Sequence, residues 1–213
     1  MEIKTVSYAV THNGPTTGKL ASFIGRLWMR LWGWKVHGQP PAASKYILIA
    51  AHHTSNWDFT FMLAATAMYR LKVSWIGKHT LFRRPFGGLM RKLGGIPIDR
   101  RSPQGLVKAM VQKFAEAEKL VVVIPPSGTR EKRDHWKSGF YRIAHAAQIP
   151  LCCGYLDFKR KEAGYGIAFI PSGDVKNEMD QIRDFYKNIH AKKPHKATTV
   201  RLKDENNGEV KST

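Results

Sequence analysis

The sequence predicts an α/β fold: a mixed, mostly parallel central sheet flanked by helices, entered through an N-terminal amphipathic membrane-contact helix. Three observations predict it. Short, wholly apolar runs such as "YILIAA" (46–51) and "LVVVIP" (120–125) read as strands buried on both faces. The stretches between them carry apolar residues at helical spacing, as in Leu106, Met110, Phe114 and Ala117. The two kinds of segment alternate along the chain, which is the pattern of strand–helix–strand units.

Taken in order, residues 1–20 are polar and carry little signal. In "ASFIGRLWMRLWGWKV", Ile24, Leu27, Trp28, Leu31 and Trp32 fall on one helical stripe, with Arg26 and Arg30 off it. Such a stripe either packs on its own core or lies in a membrane interface, where tryptophans and flanking arginines are at home. "GQPPAA" (38–43) breaks the helix and leads into the main body. A strand is expected over 46–51, a helix over 57–70 and a second strand over 73–77. "RPFGGLMRKLGG" is basic, apolar and interrupted by glycines, suited to a short helix, and a strand follows at 96–99. Pro103 opens an amphipathic helix, and the strand at 120–125 follows it. A helix over 137–148, the strands "IPLCCGYL" and "GIAFIP", and a polar helix over 176–190 complete the pattern. The expected division is a 1–40 N-terminal segment, a 41–191 domain and a polar, disordered tail at 192–213.

With 213 residues and 43% apolar composition, the chain can bury one sizeable core. Its net charge is +19, from 35 Lys and Arg against 16 Asp and Glu. From Lys192 onward there are six basic residues and three acidic, so most of the excess belongs to the body. That field favours anionic partners: nucleic acid, an anionic membrane surface, or phosphate-bearing substrates and acidic carriers. The two cysteines, Cys152 and Cys153, are neighbours on an expected strand and point to opposite faces, which argues against a disulfide. The N-terminus lacks a basic stretch followed by an apolar one, and no apolar run is long enough to span a bilayer. The expected location is peripheral, on the cytoplasmic face of the cell membrane.

Three stretches carry chemistry. In "HHTSNWD" (52–58) a strand ends and Ser55 or Asn56 can cap the next helix, which puts Asp58 in its first turn. The turn can bring the Asp58 carboxylate back to His53, fixing the tautomer and leaving the other ring nitrogen as a general base. An aspartate in a first turn is also favoured by the helix dipole whatever its role, and the chain has nine histidines, so the spacing alone decides little. A zinc site lacks any spaced Cys/His partner, and no nucleophile elbow, GxGxxG or Walker loop appears. In "GGIPIDRR" (94–101), Arg100 stands at a strand end, where it either grips phosphate through its fork or pairs with Asp99. In "VVVIPPSGTREK" (121–132), Gly128 permits close approach of a ligand, and Thr129 and Arg130 offer donors to an anion.

In this order, "HHTSNWD", "GGIPIDR", "PSGTR" and "IPLCCGYLD" resemble the four blocks of the glycerolipid acyltransferase superfamily, which includes bacterial 1-acyl-glycerol-3-phosphate acyltransferases. The resemblance covers roughly residues 25–190 and takes in "SWIGKHTLFRRPFG". It implies that His53 is the general base and Asp58 its orienting partner. It places the acceptor's phosphate on Arg100, Gly128, Thr129 and Arg130, with Lys78 near that pocket. The apolar strand around Ile149–Leu151 is associated with the acyl donor. Ser127 departs from the family's usual glutamate and removes a charge that could orient Arg130; Pro97 replaces a common aromatic residue.

The implied reaction moves a fatty acyl group from acyl-CoA or acyl-carrier protein, as co-substrate, to a lysophospholipid hydroxyl in phospholipid biosynthesis. It requires neither cofactor nor metal. Helix N-terminal amides near Trp57 are candidates for stabilising the oxyanion. The expected partners are the anionic membrane surface, the donor and the lysophospholipid. A nucleic-acid-binding protein is the rival that charge and interleaved aromatics suggest, but no nucleic acid is expected, because no signature of such a fold appears. A third reading is an acyltransferase fold weakened at Ser127 that binds lipid.

Overall fold

A computed structural model of the chain describes residues 12–98, 103–203 and 205. Its strands are β1 (Lys35–His37), β2 (Lys45–Ala51), β3 (Ser74–Lys78), β4 (Gly95–Ile98), β5 (Leu120–Ile124), β6 (Leu151–Asp157) and β7 (Glu162–Phe169). Among the described residues they form one sheet in the order β1-β7-β6-β2-β5-β3-β4. Every pairing is parallel except the β6–β7 hairpin. This is the mixed, mostly parallel sheet that the alternating pattern predicts.

Two apolar cores lie on the two sides of this sheet. On β2, Ile47, Ile49 and Ala51 enter one core while Tyr46 and Leu48 enter the other, as the two-residue strand period requires. The adjacent cysteines separate in the same way: Cys153 faces the first core and Cys152 the second, both as buried thiols. Burial pushes the Cys152 thiol up to about 12, because the thiolate cannot be solvated there.

The first core is covered by α4 (Pro103–Glu116), α5 (Gly139–Ala147) and α6 (Val175–Tyr186), through Met110, Phe114, Phe140, Met179 and Ile182. The second is covered by α1 (Lys19–Leu31) and α2 (Trp57–Met68). A 3₁₀ turn (His79–Phe82) and α3 (Gly87–Lys92) extend this layer, since Phe82 stacks on Trp75 and Trp75 packs against the second core. One layer of helices thus comes from residues 19–92 and the other from 103–186.

The aliphatic part of the predicted stripe of α1 faces away from the body, whereas Trp28 and Trp32 meet Trp57 and Phe61 of α2. Leu20, Phe23, Ile24, Leu27 and Leu31 are exposed, whereas Ser22, Gly25 and Met29 are buried. Gly25 explains the choice, because a Cβ there would sit 2.7 Å from the Ala64 carbonyl oxygen of α2. Close approach of two helix backbones needs a small residue, and the small face of α1 supplies it.

Two expectations change at the ends of the domain. Lys35–His37 forms β1 and pairs with β7, so the sheet begins inside the segment set apart as 1–40. The polar stretch after Ala191, expected to be disordered, lies on the body as far as the described residues reach. Val200 and Leu202 are buried in the first core, Trp136 N–H donates to the Arg201 carbonyl at 2.8 Å, and Arg133 N–H donates to Thr198 Oγ1 at 3.1 Å. A few anchors suffice to hold a strap that its composition reads as loose.

Candidate active site

Strands β2 and β5 are parallel neighbours, yet the chain leaves them in opposite directions. After β2 it crosses through α2 to β3, and after β5 it crosses through α5 to β6. A crevice opens outside the carboxyl ends of two such strands, the usual place for a ligand in an open α/β sheet. The loops that leave these two ends are His52–Asn56 and Pro125–Ser138, and they carry the first and third predicted stretches.

Within the first loop, Asp58 folds back from the start of α2. Its Oδ2 accepts the Thr54 N–H at 2.7 Å and the Ser55 N–H at 2.9 Å, and lies 3.1 Å from His53 Nδ1. The carboxylate is 6% exposed, and its Oδ1 is buried without a hydrogen-bond partner. With Nδ1–H donated to Asp58, the His53 Nε2 is the free basic nitrogen. The His53 side chain is about a quarter exposed, so a substrate can reach it. The His52 ring meets Tyr186 edge-on at 5.9 Å, and burial lowers its pKa against a bond to the Tyr186 backbone.

The amides near Trp57, expected as oxyanion donors, are engaged locally. Trp57 N–H donates to Ser55 Oγ at 3.3 Å, Asp58 N–H to the Ser55 carbonyl at 3.3 Å, and Phe59 N–H to the Asn56 carbonyl at 3.2 Å. A helix start that holds a buried carboxylate spends its donors on its own turn.

In the second loop, Gly128 has φ +66, a conformation that favours glycine. Ser127 is buried, and its hydroxyl donates to the Thr129 carbonyl at 2.8 Å, so it shapes the loop from within. Thr129 is half-buried and Arg130 exposed. His53, Asp58, Gly128, Thr129 and Arg130 all line one cavity of about 710 Å³. Beyond this polar mouth the cavity runs between α2 and the sheet, past Phe59, Met62, Trp75, Met90 and Leu156. A polar entrance on a long apolar chamber suits a molecule with a charged head and a hydrocarbon chain.

The model of the family described as Acyltransferase matches residues 33–156, the span that holds β1 to β6 and both loops. The chain belongs to the acyltransferase family. One solved structure, the 1-acyl-sn-glycerophosphate acyltransferase PlsC from Thermotoga maritima, is similar over 73% of this chain and 69% of that one, at 13% identity and a TM-score of 0.49. No curated protein matches the chain significantly.

In this acyltransferase the sequence-predicted residues therefore divide into two groups. Five of them share the cavity. Lys78 ends β3, its backbone in register with Ile98 of β4, and Arg100 lies outside the described residues. Sequence reasoning missed the contribution of the C-terminal strap. Lys193 N–H donates to Thr54 Oγ1 at 3.2 Å, directly behind the loop of His53. Lys192 sits over the rings of Trp57 and Phe158, 5.4 Å and 5.1 Å from their centroids. Nothing in the local sequence of 190–193 signals this, because the contact spans 139 residues.

Proposed function

We propose that this acyltransferase moves a fatty acyl group from acyl-CoA or acyl-carrier protein to a free hydroxyl of a lysophospholipid, with 1-acyl-glycerol-3-phosphate as the default acceptor. The observation that carries the reading is the His53–Asp58 pair at the polar mouth of an apolar chamber. His53 Nε2 takes the proton of the acceptor hydroxyl as its oxygen attacks the thioester carbonyl carbon. The C–S bond then breaks, and the imidazolium returns the proton to the leaving thiolate. The products are the ester and the free thiol, with no covalent enzyme intermediate. Asp58 holds the imidazole in the required tautomer and stabilises it when protonated.

Arg130, with Thr129 and the open backbone at Gly128, faces the cavity where the acceptor's phosphate would lie. Lys78 and Arg100 complete that cationic set in this reading. The apolar chamber holds the hydrocarbon, and fixing both substrates there supplies proximity in addition to proton transfer. No described helix is long and apolar enough to cross a membrane. The exposed stripe of α1, with Arg26 and Arg30 beside it, instead suits peripheral attachment. Attachment to the cytoplasmic face would put the site beside both donor and lyso-lipid.

The test is His53→Ala on purified protein with a labelled acyl donor and a panel of lyso-lipids. A fall in rate of about 10²–10⁴-fold is expected, the usual worth of a positioned base. Acyl transfer at a comparable rate would overturn the mechanism.

A further inference from the structure

The helical layer built from residues 19–92 has a second exposed apolar surface, far in sequence from α1. Leu81 is 49% exposed, Phe86 68% and Leu89 51%, all within the 3₁₀ turn, α3 and the loop joining them. Arg83 and Arg84 lie between them in sequence, and Arg91 and Lys92 follow. This surface is packed from beneath. Phe82 is buried beneath it, stacked on Trp75, with Arg91 over the ring at 5.6 Å and donating to the Phe82 carbonyl at 3.4 Å. Three glycines make the seat. A Cβ on Gly77 or Gly95 would press within 2.7 Å of the Phe82 ring, and one on Gly87 would lie 2.1 Å from the Phe82 carbonyl oxygen. Inward packing is thus complete, and the outward leucines and Phe86 have no partner in it.

Two further observations say what covers this surface. First, between Glu2 and Asp99 the sequence has 13 lysines and arginines and one carboxylate. That carboxylate is Asp58, which is buried beneath His53. The outer face of this layer therefore offers cations and no anion. Second, the surface is continuous with the chamber: Leu81 and Met90 line the cavity, and Leu81 is also half open to solvent. α2 lies between the two, since Trp57 and Phe61 meet Trp32 of α1 while Phe59 meets Trp75, which stacks on Phe82 beneath the second surface.

We propose that the ridge Leu81–Lys92 is a second membrane-contact element, inserting Leu81, Phe86 and Leu89 into an anionic bilayer with Arg83, Arg84 and Lys92 among the headgroups. Leu81 and Met90 then form the edge over which a lipid chain passes from the bilayer into the chamber. The inference adds a second element to the membrane contact of α1 and does not depend on acyl transfer. Apolar side chains set among cations are the general requirement for interfacial binding to anionic lipid.

The test uses the full chain with Phe86→Cys carrying an environment-sensitive fluorophore. Selective labelling is feasible because both native thiols are buried. Vesicles of phosphatidylcholine with phosphatidylglycerol are expected to shift the emission to the blue and raise it several-fold, and pure phosphatidylcholine to do neither. A label at Lys176→Cys, on α6 in the opposite layer, is expected not to respond. Phe86→Glu with Leu89→Glu is expected to weaken binding to the anionic vesicles roughly tenfold or more, from the lost apolar burial. A label at 86 that stays aqueous on bound vesicles overturns the proposal. So does emission already blue-shifted without lipid in a protein of dimeric mass, which would mean that a second copy covers the ridge. Vesicle binding is read without turnover, so its failure is separable from survival of activity in His53→Ala.

Discussion

Asp58 serves two masters, and substitutions can separate them. Its Oδ2 satisfies the amides of Thr54 and Ser55 and also receives His53 Nδ1. Asp58→Asn keeps an oxygen for the amides but loses the charge that orients and stabilises the imidazole. We expect it to fold with nearly unchanged urea midpoint while initial rates of acyl transfer fall by tenfold or more. Asp58→Ala strands two buried N–H groups as well, which costs about 1–3 kcal/mol of stability. Unchanged rates of acyl transfer in Asp58→Asn would leave Asp58 as a holder of the turn and nothing more. The five-residue spacing of His53 and Asp58 was open to both readings in the sequence, and the geometry shows why: the amides of the turn and the imidazole share one oxygen. Ser127 was harder to read. Its position suggests a missing carboxylate in the cavity, but its hydroxyl is used within the loop, a local bond that no residue pattern announces.

At the scale of elements, periodicity located the α-helices and every strand except β1, because burial on one or both faces leaves a repeat of two or of 3.6. For α1 it left two readings open, packing on the core or lying in a membrane interface. Large apolar residues dominate any count, yet the interface with α2 needs the absence of bulk at Gly25. The strap after Ala191 was missed for a related reason, since a segment held at a few points has no period. Its anchors are nevertheless long-range: the Arg183 guanidinium donates to the Val200 carbonyl at 3.0 Å, and Lys193 reaches Thr54. A chain ending at Ala191 is therefore expected to lose both stability and activity. Thermal unfolding reads the first, through the lost burial of Val200 and Leu202. The second is expected as a lower kcat, because the loop behind His53 loses its outer hydrogen bond. A truncated chain with unchanged unfolding and kcat would show that the strap is decorative.

For the whole molecule, two histidines are expected to shape the acid side of stability. Burial lowers the pKa of His52 and of His12, in each case against a backbone hydrogen bond that raises it. A lowered histidine is neutral in the fold and protonates more readily when unfolded. Its contribution is complete above about pH 6.5, the ordinary value, and is lost as pH falls below it. Thermal midpoints are expected to decline from pH 7 to pH 5, and His12→Gln with His52→Gln to flatten that decline. Asp157 acts lower. Burial raises its pKa, but bonds from the Arg160 amide and His190 prevail, so its contribution fades only below about pH 4. A midpoint that is flat to pH 5 would contradict the assignment of the histidines.

The distribution of carboxylates has a rotational consequence. One helical layer has its only carboxylate buried, while the other carries Asp180 and Asp184 exposed on α6. A body with such an offset between its centres of mass and of charge feels a torque near any negatively charged sheet. Screening confines that torque to the last ~10 Å of approach at ordinary ionic strength. Within that distance the molecule is expected to turn its α1 and α3 side toward the sheet before the first side chain touches it, so that attitude is selected ahead of contact. Raising salt would then scramble the angle of arrival before it abolishes arrival itself.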